Sequence, residues 1–290
     1  MQNIRKYGRW YILAAFALVT GCVWSAVFFA QAHHGVLLLS ILDIGQGDAI
    51  FIEAPNGSQV LIDGGPNDTV LTRLGEIMPF WDRSLDAVIL THPHADHLDG
   101  LLGVLDRYEV GMVIESGVNH SIAEYELWRH KIKERGIGRI VAVRGMVMHL
   151  GGAARIEILA PDRRYDAESV RNIHAAAVVL KLTFASSTAL LMADAESSGE
   201  RELLASGADL KAEVLKVGHH GSKTSTSEAF LRAVRPRLSA ISVGARNRYG
   251  HPTQEVLDRL AAAGVRIFRT DRDGTITFAS DGQQFTVRER

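Results

Sequence analysis

The stretch Thr91-His-Pro-His-Ala-Asp-His-Leu-Asp-Gly100 decides the fold of this chain, and it directly follows the apolar run Ala87-Val-Ile-Leu90. Within six residues it carries four side chains of the type that bind metals: His92, His94, Asp96 and His97. The apolar run predicts a buried strand, and the polar residues after it predict a loop and then the start of a helix. Residues two apart in an extended segment face the same side, so His92 and His94 are expected to bind one ion together.

Asp96 and His97 come at the turn into the predicted helix, so they are expected to face a second ion beside the first. Histidine nitrogens and carboxylate oxygens are the ligands that divalent metals such as zinc take in proteins. Two metal ions held side by side are typical of hydrolytic sites. The alternative is a polar loop with coincidental histidines, which leaves the tight spacing after a hydrophobic strand without an explanation.

The same stretch is the His-x-His-x-Asp-His signature of the metallo-β-lactamase superfamily, and further motifs follow the order of one branch of it. These motifs are Leu42-Asp-Ile-Gly-Gln-Gly-Asp-Ala49, Leu61-Ile-Asp-Gly-Gly65, Leu215-Lys-Val-Gly-His-His-Gly-Ser222 and Asn247-Arg-Tyr-Gly-His-Pro252. Together they resemble the hydrolase domain at the C-terminus of ComEC-type DNA-uptake proteins, over roughly residues 36–290. The resemblance implies an αββα sandwich, in which two sheets pack face to face with helices outside and the metals lie at one edge.

The pattern of predicted elements independently indicates an α/β protein. Strand-like segments dominate the chain up to about residue 193, with helices predicted around 68–79, 97–107 and 121–134. After that the chain alternates between helical and strand-like segments, and two more strands close it. Such an order is typical of layered α/β domains. The pattern alone does not give the order of strands in the sheets.

The resemblance implies three further metal ligands. Asp194 follows the strand-like run 189–193 and is expected to bridge both ions; the alternative is a carboxylate that caps the following helix. His174 is the expected third ligand of the first ion, at a position where ComEC-type proteins typically carry asparagine. Ala177 stands where that branch carries a serine, so this chain departs from its branch at both positions. A loop histidine without a ligand is the alternative for His174.

His219, His220 and His251 are the candidates for the last ligand. The resemblance assigns His220 to the second ion, and His219 then contacts the substrate as an acid or hydrogen-bond donor. Asp96 and His219 are the expected catalytic residues. His251 is either a substrate contact or a structural cap of the next helix.

Ser222 and Lys223 follow the paired histidines, and the backbone and hydroxyl groups there are a candidate anion cradle. Three aspartates lie in strand-end turns, where carboxylates of the family orient metal-bound histidines. Asp63 is favoured for that role, and Asp43 and Asp48 are either further members of this outer set or satisfy backbone groups of their turns.

Residues 10–32 contain no charged side chain and are long enough to span a bilayer as a helix, which takes about 20 residues. Residues 1–9 form a basic stub with Arg5, Lys6 and Arg9. Positive residues stay in the cytoplasm, so the segment is expected to be a single-pass signal anchor that places the domain 36–290 outside the cytoplasmic membrane.

Two other interpretations of the N-terminus remain open. A cleaved signal peptide normally has an apolar stretch of about 7–15 residues, which is shorter than this one. Val19-Thr-Gly-Cys22 also resembles a lipoprotein cleavage box, although the apolar run continues past it. Cys22 is the only cysteine, which excludes an intrachain disulfide and a cysteine metal site. The net charge of −1 does not indicate a nucleic-acid binder, and it does not exclude a short basic groove.

The sequence therefore predicts a membrane-anchored hydrolase that binds two divalent ions, with zinc expected and manganese as the alternative. The resemblance implies a phosphodiester substrate, with single-stranded DNA as the leading candidate. One apolar segment cannot form a DNA channel, so a role in uptake implies a separate multispan partner. Envelope phosphodiesters, such as teichoic-acid or phospholipid head groups, are the alternative substrates. A non-catalytic anchored scaffold of the same fold is the alternative function.

Overall fold

The computed structural model describes residues 2–31, 35–166 and 168–288, and in the first of these ranges it describes the side chains of residues 7–25. The described residues form these strands: β1 Leu37–Ile41, β2 Ile50–Glu53, β3 Gln59–Ile62, β4 Ser84–Leu90, β5 Glu109–Glu115, β6 Gly138–Val141, β7 Val147–Gly151, β8 Ala154–Ala160, β9 Val179–Phe184, β10 Ser187–Leu191, β11 Val214–Lys216, β12 Leu238–Ile241, β13 Arg266–Arg269, β14 Ile276–Ser280 and β15 Phe285–Val287. The helices are α1 Gln2–Gln31, α2 Thr69–Ile77, α3 Ala95–Arg107, α4 Ala123–Glu134, α5 Ser197–Ala205, α6 Glu228–Val234, α7 Gln254–Ala262 and α8 Thr270–Asp273. Two short 3-10 helices add Ile173–Ala176 and Gly218–Gly221.

The strands form two sheets. The eight-stranded sheet has the order β15-β14-β1-β2-β3-β4-β5-β6, and the seven-stranded sheet has the order β13-β12-β11-β10-β9-β8-β7. Strands β3 to β6 are parallel, and so are β10 to β13, whereas the other pairs are antiparallel. The carboxyl ends of parallel strands meet at one edge of a sheet, and ligands of α/β proteins bind in the crevice there.

The space between the two sheets is an apolar core to which both contribute. Ile52 and Ile89 of the first sheet lie in one buried cluster with Leu180 and Leu191 of the second. Each such side chain stabilises the fold by about 1.5–3 kcal/mol when it leaves water. The sheets are therefore packed face to face.

Helices cover the outer face of each sheet. Leu74, Leu101 and Trp128, from α2, α3 and α4, lie in a buried cluster with residues of the eight-stranded sheet. Leu203, Phe230 and Leu260, from α5, α6 and α7, lie in a corresponding cluster with the seven-stranded sheet. The result is the αββα sandwich that the sequence predicts, so the predicted fold class of this domain is confirmed.

The N-terminal helix α1 exposes its large apolar side chains: Trp10, Tyr11, Phe16 and Trp24 are each more than two-thirds exposed. In the part of the chain that the structure describes, no helix is both long enough and apolar enough to cross a membrane. The predicted transmembrane anchor over 10–32 is therefore not confirmed. Residue 32 and the side chains of the basic stub at positions 5 and 6 lie outside the description.

Candidate metal centre

The end of β4 and the start of α3 position the first four candidate ligands. β4 is buried from Ala87 to Leu90, and the chain then bends at His92 and is extended again at His94. The Nε2 atom of His92 lies 3.1 Å from the Nδ1 atom of His94, so the two rings face the same point. Helix α3 begins at Ala95, two residues earlier than predicted, and this places Asp96 and His97 in its first turn.

The second sheet delivers the remaining candidates from its own strand ends. Asp194 follows β10, and the paired histidines follow β11, which is parallel to β10. His174 lies in the 3-10 helix just before β9. His219 and His220 both adopt left-handed backbone conformations, with φ of 48° and 54°, so their side chains leave the turn in different directions.

Asp194 lies between two clusters of candidate ligands, with one oxygen toward each. Its Oδ2 atom is 3.8 Å from His92 Nε2 and 3.7 Å from His174 Nδ1. Its Oδ1 atom is 3.5 Å from His97 Nε2 and 3.3 Å from His220 Nε2. The residues of the first cluster are His92, His94 and His174, and those of the second are Asp96, His97, Asp194 and His220. A carboxylate in this position has one oxygen available for each cluster.

The donor atoms of these residues fit a metal site. Buried atoms without a hydrogen-bond partner in the described protein include His97 Nε2, His174 Nδ1, Asp194 Oδ1 and His220 Nε2. Leaving a buried polar atom unpaired costs about 1–3 kcal/mol, so these four atoms, one in the first cluster and three in the second, need partners there. Ligand atoms about 2.1 Å from a tetrahedral ion lie about 3.4 Å apart, which matches the observed separations.

Burial prepares the first cluster for a metal ion. Burial lowers the pKa of His92 well below its ordinary value. It also lowers the pKa of His94 to about 4, and the neighbouring ring of His174 acts in the same direction. These imidazoles are therefore neutral at pH 7, which is the state that binds a metal ion.

Carboxylates dominate the second cluster. Burial lowers the pKa of His97 and of His220, but Asp194 and further carboxylates outweigh burial and raise both pKa values. Burial raises the pKa of the Asp194 carboxyl, but His220 and His97 outweigh it and hold that pKa well below its usual range. The space beside Asp194 that the rings of His97 and His220 face therefore favours a positive charge.

Hydrogen bonds behind the rings fix their orientation. His97 donates from Nδ1 to Asp63 Oδ2 over 2.7 Å, and Asp63 also accepts from the backbone N and the hydroxyl of Thr91 at 2.8 and 2.7 Å. His220 donates from Nδ1 to the carbonyl oxygen of Ser242 over 3.0 Å. Each of these hydrogen bonds leaves the Nε2 atom of its ring directed at Asp194. In metal sites, hydrogen bonds to the other ring nitrogen orient the metal-bound histidine in the same way. Asp63 lies where the sequence analysis placed it.

Asp48 lies beneath His220, with its Oδ1 atom 3.5 Å from His220 Nδ1. Its other oxygen accepts a hydrogen bond from the fully buried Lys216. The loop before it packs closely against the ligand stretch, because a Cβ at Gly47 would collide with the carbonyl oxygen of Asp96. Lys216 was not among the predicted residues, although a lysine inside the buried strand β11 indicates a buried carboxylate or other acceptor as its partner.

Three predicted residues do not contact the cluster as expected. Asp43 forms an ion pair with Arg73 at 3.5 Å instead of orienting a candidate ligand, so its predicted role is corrected. Ser222 is buried and pairs its hydroxyl with that of Thr224 at 3.0 Å. Lys223 is exposed, and its described contact is a backbone one, from Arg259 to its carbonyl oxygen.

His219 lies beside the cluster but is partly open to solvent. Its Nε2 atom is 3.9 Å from Asp194 Oδ2, and its Nδ1 atom is 3.4 Å from Glu196 Oε1. The ring of His251 is 5.8 Å from that of His219, and its Nδ1 atom is buried without a partner in the described protein. Sequence reasoning missed Glu196, and it also missed His120, whose ring is 5.7 Å from His94.

The site and the sandwich together define the class of this protein. The sequence pattern of the metallo-beta-lactamase superfamily matches residues 42–245, and the chain belongs to that superfamily. A solved structure of Zn(2+)-bound PqqB from Methylobacterium extorquens shares the fold, with a TM-score of 0.51 and 11% identity over 83% of this chain and 99% of that one.

Within the superfamily, the chain is similar to ComEC-type competence proteins. It is 33% identical to ComE operon protein 3 of Bacillus subtilis over 90% of this chain and 36% of the relative. It is 30% identical to competence protein ComA of Neisseria gonorrhoeae over 83% of this chain and 32% of the relative. The chain thus spans about a third of the length of these relatives, and the resemblance proposed from the motifs is confirmed.

Proposed function

We propose that this chain is a metal-dependent phosphodiesterase that cleaves DNA. The observation that carries the proposal is the position of Asp194, whose two oxygens face two separate clusters of candidate ligand atoms, with unpartnered buried atoms in both. One tetrahedral ion uses four ligands, and the two clusters together offer more than that. A binuclear site is the arrangement that metal-dependent phosphodiesterases use.

The proposed ligands divide between two ions. His92, His94 and His174 would hold the first ion, and Asp96, His97 and His220 the second, with Asp194 shared. Zinc suits this mixture of nitrogen and oxygen ligands, and manganese suits its oxygen share. Two such ions would supply Lewis acidity at the phosphoryl oxygens and lower the pKa of an attacking water.

The chain's own groups position the reactants around that chemistry. Asp96 is part of the second cluster and is partly exposed, so its carboxylate borders the space that a phosphodiester would enter. Glu196 lies near Nδ1 of His219, which leaves Nε2 of that ring free to exchange a proton with the leaving oxygen. Burial lowers the pKa of His219, whereas Asp194 and Glu196 favour its protonated form, and in that form the ring would donate a proton from Nε2 to the leaving oxygen.

DNA is the proposed substrate because the chain resembles ComEC-type DNA-uptake proteins over most of its own length. Those relatives are about three times longer, so only the hydrolytic step is proposed for this chain. Single-stranded DNA is the leading candidate that this resemblance implies.

We further propose that α1 holds the domain at the outer face of the cytoplasmic membrane. Trp10, Tyr11, Phe16 and Trp24 expose large apolar surfaces that soluble proteins normally bury. Residues 10–32 carry no charge, and basic residues precede them. Those are the features of an anchor whose N-terminus stays in the cytoplasm.

The test is hydrolysis by the full-length chain, purified in mild detergent without chelator, with Mn²⁺ and Zn²⁺ supplied separately. Substrates are a labelled single-stranded oligonucleotide, its duplex and a glycerophosphodiester head group. Cleavage of the strand is expected, and Asp194→Asn is expected to abolish it. Cleavage of the head group alone would replace DNA by an envelope phosphodiester, and hydrolysis of none of them with either metal would refute the phosphodiesterase proposal.

A further inference from the structure

A row of rings runs from the candidate metal centre to the protein surface. The ring of His174 lies 4.6 Å from that of His219, which lies 5.8 Å from that of His251. His251 in turn is stacked on Tyr249, at 5.9 Å and an interplanar angle of 18°. The row begins beside the buried Asp194 and ends at Tyr249, which is 55% exposed. The ring of Tyr249 is thus partly open to solvent within two ring contacts of the site, with His251 stacked on it and the guanidinium of Arg248 over it.

Asn247 holds the loop that carries this aromatic face. Its Nδ2 atom donates to the carbonyl oxygens of Gly244 and His251 at 2.9 and 2.8 Å. Its Oδ1 atom accepts from the backbone N of Tyr249 and of His251 at 3.2 and 3.0 Å. One amide therefore makes four hydrogen bonds inside the loop. The loop is preorganised, although its tyrosine packs into no core, so the fold alone does not account for the exposed ring.

The positively charged side chain of Arg248 lies next to the Tyr249 ring. The guanidinium carbon of Arg248 lies 5.3 Å from the centre of the Tyr249 ring, and its NH2 atom is 3.3 Å from the tyrosine hydroxyl. Arg246 is exposed in the same loop. Proteins that bind single-stranded nucleic acids combine exposed aromatic faces, on which bases stack, with cations that follow the phosphates. Both parts of that combination are present here.

We propose that Tyr249 stacks on a nucleobase of single-stranded DNA, one or two nucleotides from the phosphodiester at the metal centre, while Arg248 contacts a flanking phosphate. This inference rests on the proposed function and assigns the residues that select its substrate. A duplex keeps its bases stacked on one another and offers no free base face to Tyr249. The loop therefore selects a single strand by the base surface it exposes, without reading the base sequence.

Abasic DNA isolates the stacking contact from the backbone contacts. The full-length chain is assayed on a single-stranded oligonucleotide and on a strand of the same length in which the nucleotides flanking the cleaved bond are abasic. Tyr249→Ala is expected to raise KM on the ordinary strand about 5- to 150-fold, the range that one stacked base contributes, and to leave kcat near the original value. On the abasic strand it is expected to change neither constant.

Two variants serve as controls. Tyr249→Phe keeps an aromatic face and is expected to retain the original KM. Trp81→Ala removes an even more exposed aromatic ring, in the loop before β4 at the opposite end of that strand from His92, and is expected to change nothing. An equal loss on both strands, or an unchanged KM on both, in Tyr249→Ala would overturn the inference.

A binding measurement distinguishes failure of this inference from failure of the proposed function. Anisotropy of a labelled strand is measured on Asp194→Asn, a background without turnover, with and without Tyr249→Ala. Weaker binding of the ordinary strand, but not of the abasic strand, in the double variant supports the stacking contact even if the original chain cleaves nothing. Cleavage by the original chain with no base-dependent effect of Tyr249→Ala in either assay would sustain the phosphodiesterase and refute the stacking.

Discussion

The ammonium group of Lys216 and the carboxylate of Asp48 form an ion pair in the interior of the protein, although 168 positions separate them along the chain. Both side chains are fully shielded from solvent, and Lys216 also lies 3.3 Å from the carbonyl oxygen of Ala193. The pair connects the loop before β2 to β11, just ahead of His220. It therefore holds that loop against the strand that leads to His220, a candidate ligand of the second cluster.

Lys216→Met is expected to lower the free energy of unfolding by about 3–5 kcal/mol, because it leaves Asp48 buried without a partner. Adding Asp48→Asn removes the orphaned charge and is expected to recover part of that loss. Denaturant unfolding of the metal-free protein measures both changes. As a matched control, Arg232→Met breaks an exposed pair with Glu228 and is expected to cost no more than about 1 kcal/mol. A double variant less stable than Lys216→Met would show that charge burial is not the cause.

The sequence predicted the candidate ligands because most of them are encoded locally. His92 and His94 lie two residues apart directly after an apolar strand, and the resemblance to the family pointed to Asp194 at the end of another such strand. Strand β5 is only weakly indicated by its local sequence, because it contains Gly111, and glycine weakens the interior of a strand. The structure shows why the glycine is there: a Cβ at that position would lie 2.7 Å from the carbonyl oxygen of Asp86 on the next strand.

Contacts between distant parts of the chain could not be predicted in the same way. Strand β7 is a short edge strand whose Val147 is 44% exposed, so it carries no clear apolar alternation. The partner of Lys216 is set by how the two sheets pack, which local patterns do not contain. The same applies to Asp43, because nothing in its local sequence indicates that Arg73 of α2 is its partner.

Asp194→Ala is expected to remove both metal ions at once, because its two oxygens face the two clusters. Elemental analysis of the original chain, equilibrated with Mn²⁺ or Zn²⁺ and desalted, is expected to give about two equivalents. His174→Ala touches one cluster only and is expected to retain about one. A reproducible value of one or less in the original chain with either metal would contradict the binuclear arrangement.

A reporter fused after residue 290 tests the orientation proposed for α1. Alkaline phosphatase is active only outside the cytoplasm, so the fusion is expected to be active in intact bacterial cells and to sediment with membranes after an alkaline wash. Placing acidic residues at Arg5, Lys6 and Arg9 removes the positive charges that set the orientation and is expected to reduce that activity. Activity of a cytoplasmic reporter, with none from the phosphatase, would reverse the topology.

The adjacent histidines provide the last prediction, because their surroundings differ although they are neighbours in sequence. His220 is buried, donates to Ser242 and directs Nε2 at Asp194, so His220→Ala is expected to lower both the metal content and the thermal stability that bound metal provides. His219 is partly exposed and is held near Glu196. His219→Ala is expected to retain both metals and to lower turnover by roughly 10²–10⁴-fold, the scale of one acid–base group.

Metal analysis and turnover, measured on the same preparations of both variants, decide between these roles. His219 also lies close enough to His174 and Asp194 to serve as a ligand itself, so loss of metal from His219→Ala is the informative contrary result. If His219→Ala loses metal while His220→Ala keeps it, the two roles are exchanged. If both keep their metal, the last ligand must come from elsewhere, and His251, whose buried Nδ1 atom lacks a described partner, becomes the residue to replace next.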